Sequence, residues 1–223
     1  MTTWTILTGS KTTEGSIKNW INHADVPAST IVGEAEALIF QRLRVLSMMT
    51  LLESTLASGA STIDISTLGY LSPKSFFFYG DHRQQVTFRQ HEMFEISRVY
   101  DDSTPPVLEE GTPTDYTHNR STIYFNLKVN ETHYYRHWYY ARPTALSGSN
   151  ETNILTDDYP HILTAACLHR AFKWRKDDAR AATELKELMG YIDVALVDSD
   201  MAFETAEYNP YWHQDGGLGY GTY

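Results

Sequence analysis

The side chains able to do covalent or metal chemistry are few in this chain of 223 residues, and their spacing disperses them. His133 and His137 share one face of a candidate strand. Four strand residues separate them by about 13 Å, too far for one metal ion to take both at bonds of about 2 Å. His161 and His169 lie eight residues apart on a candidate helix, about 12 Å. Glu109-Glu110, Asp157-Asp158 and Asp177-Asp178 are paired carboxylates. Adjacent residues point in different directions, so none of these pairs by itself forms the acid–base dyad that glycoside hydrolases use. The two Asp pairs suit helix starts, where side-chain oxygens accept from free N–H groups. No nucleophile elbow, P-loop or dinucleotide fingerprint occurs. Gly216-Gly217-Leu218-Gly219 lacks the preceding strand and following helix of a phosphate loop. Cys167 is the single cysteine, so no intramolecular disulfide can form, and it reads as a buried, inert thiol. The expectation is a protein that is not an enzyme and that uses no cofactor and no metal.

Three other groups point to contact rather than catalysis. Arg170, Lys173, Arg175, Lys176 and Arg180 form a basic cluster, diluted by Asp177 and Asp178. It reads either as a solvated helix end, with cations near C-terminal carbonyls, or as a contact with an acidic surface such as a neighbouring copy. His133 to Arg142 is almost solid aromatic. Tyr134, Arg136, Trp138 and Tyr140 fall on one face, and His133, Tyr135, His137 and Tyr139 on the other. It reads as a sheet core with polar tips or as a platform for sugar rings. The last stretch, Glu204 to Tyr223, interleaves Gly216, Gly217, Gly219 and Gly221 with Tyr208, Tyr211, Trp212, Tyr220 and Tyr223. Such a segment is too aromatic for a plain linker and reads either as one that orders on a partner or as plain disorder.

These groups need elements to hold them. The spacing predicts a helical hairpin near the end, with helices over about 157–176 and 178–197. Ile162, Ala165, Ala166, Leu168, His169 and Phe172 form the face of the first helix. Ala181, Leu185, Leu188, Ile192 and Ala195 form the face of the second. A third helix is predicted over about 29–46, capped by Ser29 or Thr30. Its stripe is Val32, Ala35, Ile39, Leu43 and Leu46, with Glu34, Glu36, Arg42 and Arg44 on other faces. Between them lies a β-rich insert over about 49–143. Within it a hairpin is expected from Met49 to Ile65, a break at Leu71-Ser72-Pro73, and strands at Phe76 to Tyr79 and Gln85 to Arg89. The predicted fold is α+β. It is a small helical bundle, made of the N-terminal helix and the C-terminal hairpin, with an inserted antiparallel β-rich region and an extended tail. The bundle and insert occupy residues 1–203 and the tail 204–223.

Composition narrows the class. Hydrophobic content of 42% with 21% charged residues can build a core. The net charge of -10 argues against general affinity for a nucleic-acid backbone. No window approaches the roughly 20 apolar residues of a membrane span. Met1-Thr2-Thr3-Trp4 does not resemble the start of a signal peptide.

The order of several short motifs resembles the adaptor proteins that join the head of a tailed bacteriophage to its tail. They are Gly33-Glu34-Ala35-Glu36-Ala37-Leu38-Ile39 with Arg42-Leu43-Arg44 and a following Met48 or Met49, then Gly111-Thr112-Pro113-Thr114-Asp115-Tyr116. Tyr139-Tyr140-Ala141-Arg142-Pro143 with Leu146 follows, then Asn153-Ile154-Leu155, Tyr159-Pro160-His161-Ile162-Leu163 and Lys176-Asp177-Asp178-Ala179-Arg180. Leu68-Gly69-Tyr70-Leu71 departs from the family's Leu-Pro-Asp type turn. The resemblance runs from about Thr30 to Met201. It implies a structural virion protein in the neck between portal and tail, assembled in the host cytoplasm. Its partners would be further copies in a ring, typically of twelve, the portal protein, and a downstream tail or nozzle protein. DNA would pass through the lumen without sequence-specific binding, and no membrane is involved. Portal docking would fall to Tyr208, Tyr211, Trp212, Leu218, Tyr220 and Tyr223. Contact between subunits would fall to the basic cluster from Arg170 to Arg180. The competing reading is a glycan-binding module of a virion protein that uses residues 133–142. A glycan-cutting enzyme ranks last, because it needs two carboxylates that only the fold could bring together.

Overall fold

The computed structural model describes residues 2–79, 83–101 and 107–207, with side chains described as far as Met201. In chain order the helices are α1 (Trp4–Leu7), α2 (Ile17–Trp20), α3 (Ala28–Ile39), α4 (His91–Ser97), α5 (Ile154–Asp157), α6 (Pro160–Trp174) and α7 (Asp178–Glu207). The strands are β1 (Met49–Leu56), β2 (Thr62–Asp64), β3 (Tyr70–Tyr79), β4 (Arg83–Phe88), β5 (Glu110–Gly111), β6 (Asp115–His118), β7 (Thr122–Phe125), β8 (Lys128–Val129) and β9 (His133–Ala141). The chain divides into two compact units. One combines the described residues of Met1–Ser47 and Thr144–Tyr223, and the other is Met48–Pro143.

The first unit is helical, and α6 packs against both α3 and α7. Local chemistry sets its boundaries. Thr3 and Ser16 cap the two short N-terminal helices through their hydroxyls. α3 begins at Ala28 behind Pro27, without the side-chain cap expected from Ser29 or Thr30. It also ends at Ile39 rather than near 46, because the chain turns at Phe40 and the Arg44 guanidinium takes the carbonyls of Phe40 and Leu43 at 2.8 and 2.7 Å. Leu43 and Val45 are still fully buried beyond that turn. Glu36 is buried, against the expectation of an outward face. Its carboxylate accepts from the Leu146 N–H at 3.2 Å and the Asn153 amide at 2.8 Å.

A capping box between Asn153 and Thr156 opens α5, and α6 follows with Pro160 in its first turn. His169 donates from Nδ1 to the Ala181 carbonyl at 2.7 Å, tying α6 to α7. Ala181, Leu188, Ile192 and Ala195 form the buried stripe of α7. The helix expected to stop near 197 continues to Glu207. No Gly or Pro falls between Val197 and Glu207, and Ser199 accepts the Leu46 N–H at 2.7 Å.

The second unit is a large, barrel-like and mostly antiparallel sheet in the order β1-β9-β3-β4-β6-β7-β2, with β4 and β6 parallel. β5 and β8 form a separate two-stranded parallel pair. Met49 to Ile65 is therefore not a hairpin. β1 pairs with β9 and β2 with β7, because β9 offers nine residues of alternating burial against which β1 and β3 both align. β3 also runs through Leu71-Ser72-Pro73. Register irregularities at Tyr70/Ser72 and Pro73/Ser75 absorb the residue that lacks an N–H. The core is aromatic, with Phe76, Phe78, Tyr116, Phe125 and Tyr135 packed among Leu56, Ile65, Val86, Ile123 and Val129.

Candidate interaction surfaces

Two surfaces and one terminal segment carry the side chains whose types suit contact. The first is the turn between α6 and α7. α6 closes at Arg175, Lys176 takes a left-handed φ of 61°, and Asp177 accepts the Arg180 N–H to start α7. The five cations gather at this end, but their states differ. Lys173 pairs with Asp178 at 2.8 Å and holds that carboxyl below the usual range through the hydrogen bond. Arg180 reaches Asp177 at 3.5 Å and lies over the Phe172 ring. Arg175 donates to the Ile21 carbonyl at 2.7 Å. Lys176 is exposed, and the buried Arg170 Nε meets no acceptor among the described residues. Trp174 also sits here. It is 41% exposed and edge-on to His23 at 5.2 Å between ring centres. Its place beside the cations was legible in the sequence, where it stands between Lys173 and Arg175.

The second surface is β9. Its inner face, His133, Tyr135, His137 and Tyr139, is buried. Its outer face carries Arg136 paired with Glu53 and lying over the rings of Tyr79 and Tyr134, with Trp138 and Tyr140 half-buried beside it. Inside the sheet, the His137 ring bridges two partners, Ser75 through Nδ1 at 2.8 Å and Tyr70 through Nε2 at 2.9 Å. A carbonyl only accepts, so Nδ1 carries the proton and donates to Ser75. Nε2 of the neutral ring then accepts from the Tyr70 hydroxyl. Burial pushes the imidazole pKa down to about 4 and pushes the Tyr70 and Tyr116 phenols up. His118, stacked edge-on against Tyr70, is lowered by burial as well. This network joins β3 to β9 and is structural. Only its histidines were visible in the sequence, because Tyr70 and Ser75 lie more than sixty residues away from His137.

The third group belongs to the tail segment. Tyr208, Tyr211, Trp212, Leu218, Tyr220 and Tyr223 lie outside the described residues. The remaining titratable groups stay apart. His133 packs on Phe78, and His161 is edge-on to Tyr191. Cys167 is fully buried, and burial raises its thiol. No group of three or more His, Cys, Asp or Glu side chains gathers among the described residues.

Residues 12–207 match the model of a family described as SU10 adaptor protein. No curated protein matches the chain.

Proposed function

The chain belongs to the SU10 adaptor protein family of phage adaptors, and from that premise we propose that it is a structural virion protein of the head–tail junction, built into a ring beneath the portal. The observation that carries this reading is the extent of the family match, which takes in the helical unit, the whole sheet and α7 as far as Glu207. In this reading the ring is of about twelve copies, the number that the family resemblance implies. It joins the portal to the next tail component and leaves a lumen through which DNA exits. The net charge of -10 suits a conduit, since like charge keeps the phosphate backbone from adhering to the wall. The basic turn from Arg170 to Arg180 contacts the neighbouring subunit. The aromatic residues from Tyr208 to Tyr223 order on the portal, and residues 204–223 act as the docking tail.

The test is cross-linking mass spectrometry on whole particles. The tail holds no lysine, so a carboxylate-reactive linker acting through Glu204, Glu207 and Asp215 is required. We expect links from that segment to the portal and links between copies within residues 156–197. An absence of links to any capsid or tail protein sinks the reading. A chain lacking Tyr208–Tyr223 should fold and fail to join the portal. Normal infectious particles from that truncation sink the docking assignment alone.

A further inference from the structure

The last 37 residues, Glu187 to Tyr223, carry seven carboxylates and no lysine or arginine. The turn between α6 and α7 carries five cations against Asp177 and Asp178, an excess of three positive charges. Both regions belong to the helical unit, yet Lys176 and Val197 stand about 30 Å apart along α7. Opposite charges at that separation are screened from one another at physiological salt. Each surface also has an exposed apolar centre. At the turn it is Trp174. On α7 it is Val194 and Val197, 60% and 56% exposed, which line an open hollow with Asp193 and Asp198. These valines lie away from the buried stripe of Ala181, Leu188, Ile192 and Ala195, so the packing of α7 within its own unit does not account for them.

We infer that the occupant of the α7 hollow is the turn of a second copy, with Trp174 seated against Val194 and Val197 and the turn cations facing Asp193 and Asp198. The complementarity is double, since a Trp rimmed by Lys and Arg meets a pair of valines rimmed by Asp. Tryptophan and arginine are the side chains that most often dominate the energy of protein interfaces. The local pairs Lys173–Asp178 and Arg180–Asp177 are solvent-exposed and cost little to exchange for partners across the interface. The two surfaces differ, so the contact is heterologous. Repetition of such a contact closes a ring when the rotation permits. The inference rests on the ring reading and adds the surface that receives the basic turn.

Engineered cysteines test it, because Cys167 is buried and leaves a silent background. Particles carrying Lys176→Cys with Val197→Cys in one chain are oxidised and run without reductant. A ladder of cross-linked copies is expected from the double variant, and no dimer from either single variant. A dimer from V197C alone means an isologous contact and overturns the inference. So does a double variant that stays monomeric on the gel while amine cross-linking of wild-type particles still gives multimers, an outcome that leaves the ring reading intact. If amine cross-linking gives no multimers either, the ring reading fails with it. As a second measurement, Trp174→Ala should keep the thermal unfolding of the free protein and lower incorporation into particles at least tenfold. Unchanged incorporation overturns the role of Trp174.

Discussion

Acid should loosen the sheet through one side chain, His137. The ring is fully buried, donates to the Ser75 carbonyl and accepts from Tyr70, so the folded state holds it neutral down to a pKa of about 4. In the unfolded chain the same imidazole titrates near its ordinary value of about 6.5. Between those two values the unfolded state binds a proton that the folded state refuses, so stability falls as pH falls through that window. Nothing changes above about pH 7, where both states are neutral. The full difference of roughly 2.5 units corresponds to about 3 kcal/mol, of which about 2 kcal/mol falls between pH 6.5 and 4.5. Asp64, Glu151 and Asp178 are held below their ordinary values, so their contributions are lost mainly at lower pH. His118 is lowered too and adds to the slope in the same direction. The assay is urea unfolding of the full chain at several pH values from 7 to 4.5. It is paired with NMR titration of the imidazole Cε1–H in the folded protein, and with the same unfolding series on His137→Gln. Glutamine can donate to Ser75 and accept from Tyr70 but carries no titrating proton. It should lower stability at pH 7 by about 1–2 kcal/mol through poorer packing and geometry, while flattening the acid slope. An imidazole signal that moves near pH 6.5 in the folded protein refutes the reasoning, and so does an identical slope in the variant.

Two further perturbations probe the core of each unit. Phe76 is fully buried and its ring contacts those of Phe78, Tyr116, Phe125, Tyr135 and His137. Phe76→Ala should therefore cost about 3–5 kcal/mol in urea unfolding, and a loss under 1 kcal/mol contradicts this account of the core. Glu36→Ala removes the side-chain acceptor of the Leu146 N–H and one of two acceptors of the Asn153 amide, which also donates to the Thr144 carbonyl, and should cost about 2–3 kcal/mol. Faster hydrogen exchange at Leu146 is the local readout, and unchanged protection there argues against the bond.

The sequence showed the helices well where one periodicity governed them. Ile162, Ala165, Ala166 and Phe172 marked the buried face of α6, and Ala181, Leu188, Ile192 and Ala195 that of α7. It failed where a distant partner decided the outcome. Leu43 remains apolar at helical spacing although the helix has stopped, because the loop past Phe40 is held by Arg44 and buried by its surroundings. Glu36 read as an outward charge because its acceptor role depends on Leu146 and Asn153, more than a hundred residues on. β1 and β2 looked like hairpin arms because adjacency is the default pairing, and only the length of β9 explains why β1 aligns with it. The alternation in β9 separated its two faces, but the chain does not say which face turns inward. That choice follows from Tyr70 and Ser75 meeting His137. Of the residues in the proposed interface, the cations at the turn were visible as a cluster, whereas Val194 and Val197 lay inside the predicted helix but off its apolar stripe, and only their exposure sets them apart.

The length of α7 gives these observations a common cause. α6 has 15 residues and α7 has 30, so α6 can cover only about half of its partner. The buried stripe runs from Ala181 through Leu188 and Ile192 in the covered half to Ala195 just past it. The distal half runs on as a helix beyond the reach of α6, with Ser199 accepting the Leu46 N–H, and exposes Val194, Val197 and Met201. A side chain on a formed helix has its backbone already ordered, so a partner that seats on it loses less entropy than one that orders a loop. In the proposed ring, the acidity of that half would keep like surfaces from pairing, since Asp193 and Asp198 would repel their counterparts in a second α7. The same charges would attract the basic turn. Repulsion between identical faces and attraction between unlike ones is the combination that favours a head-to-tail ring over a two-fold dimer.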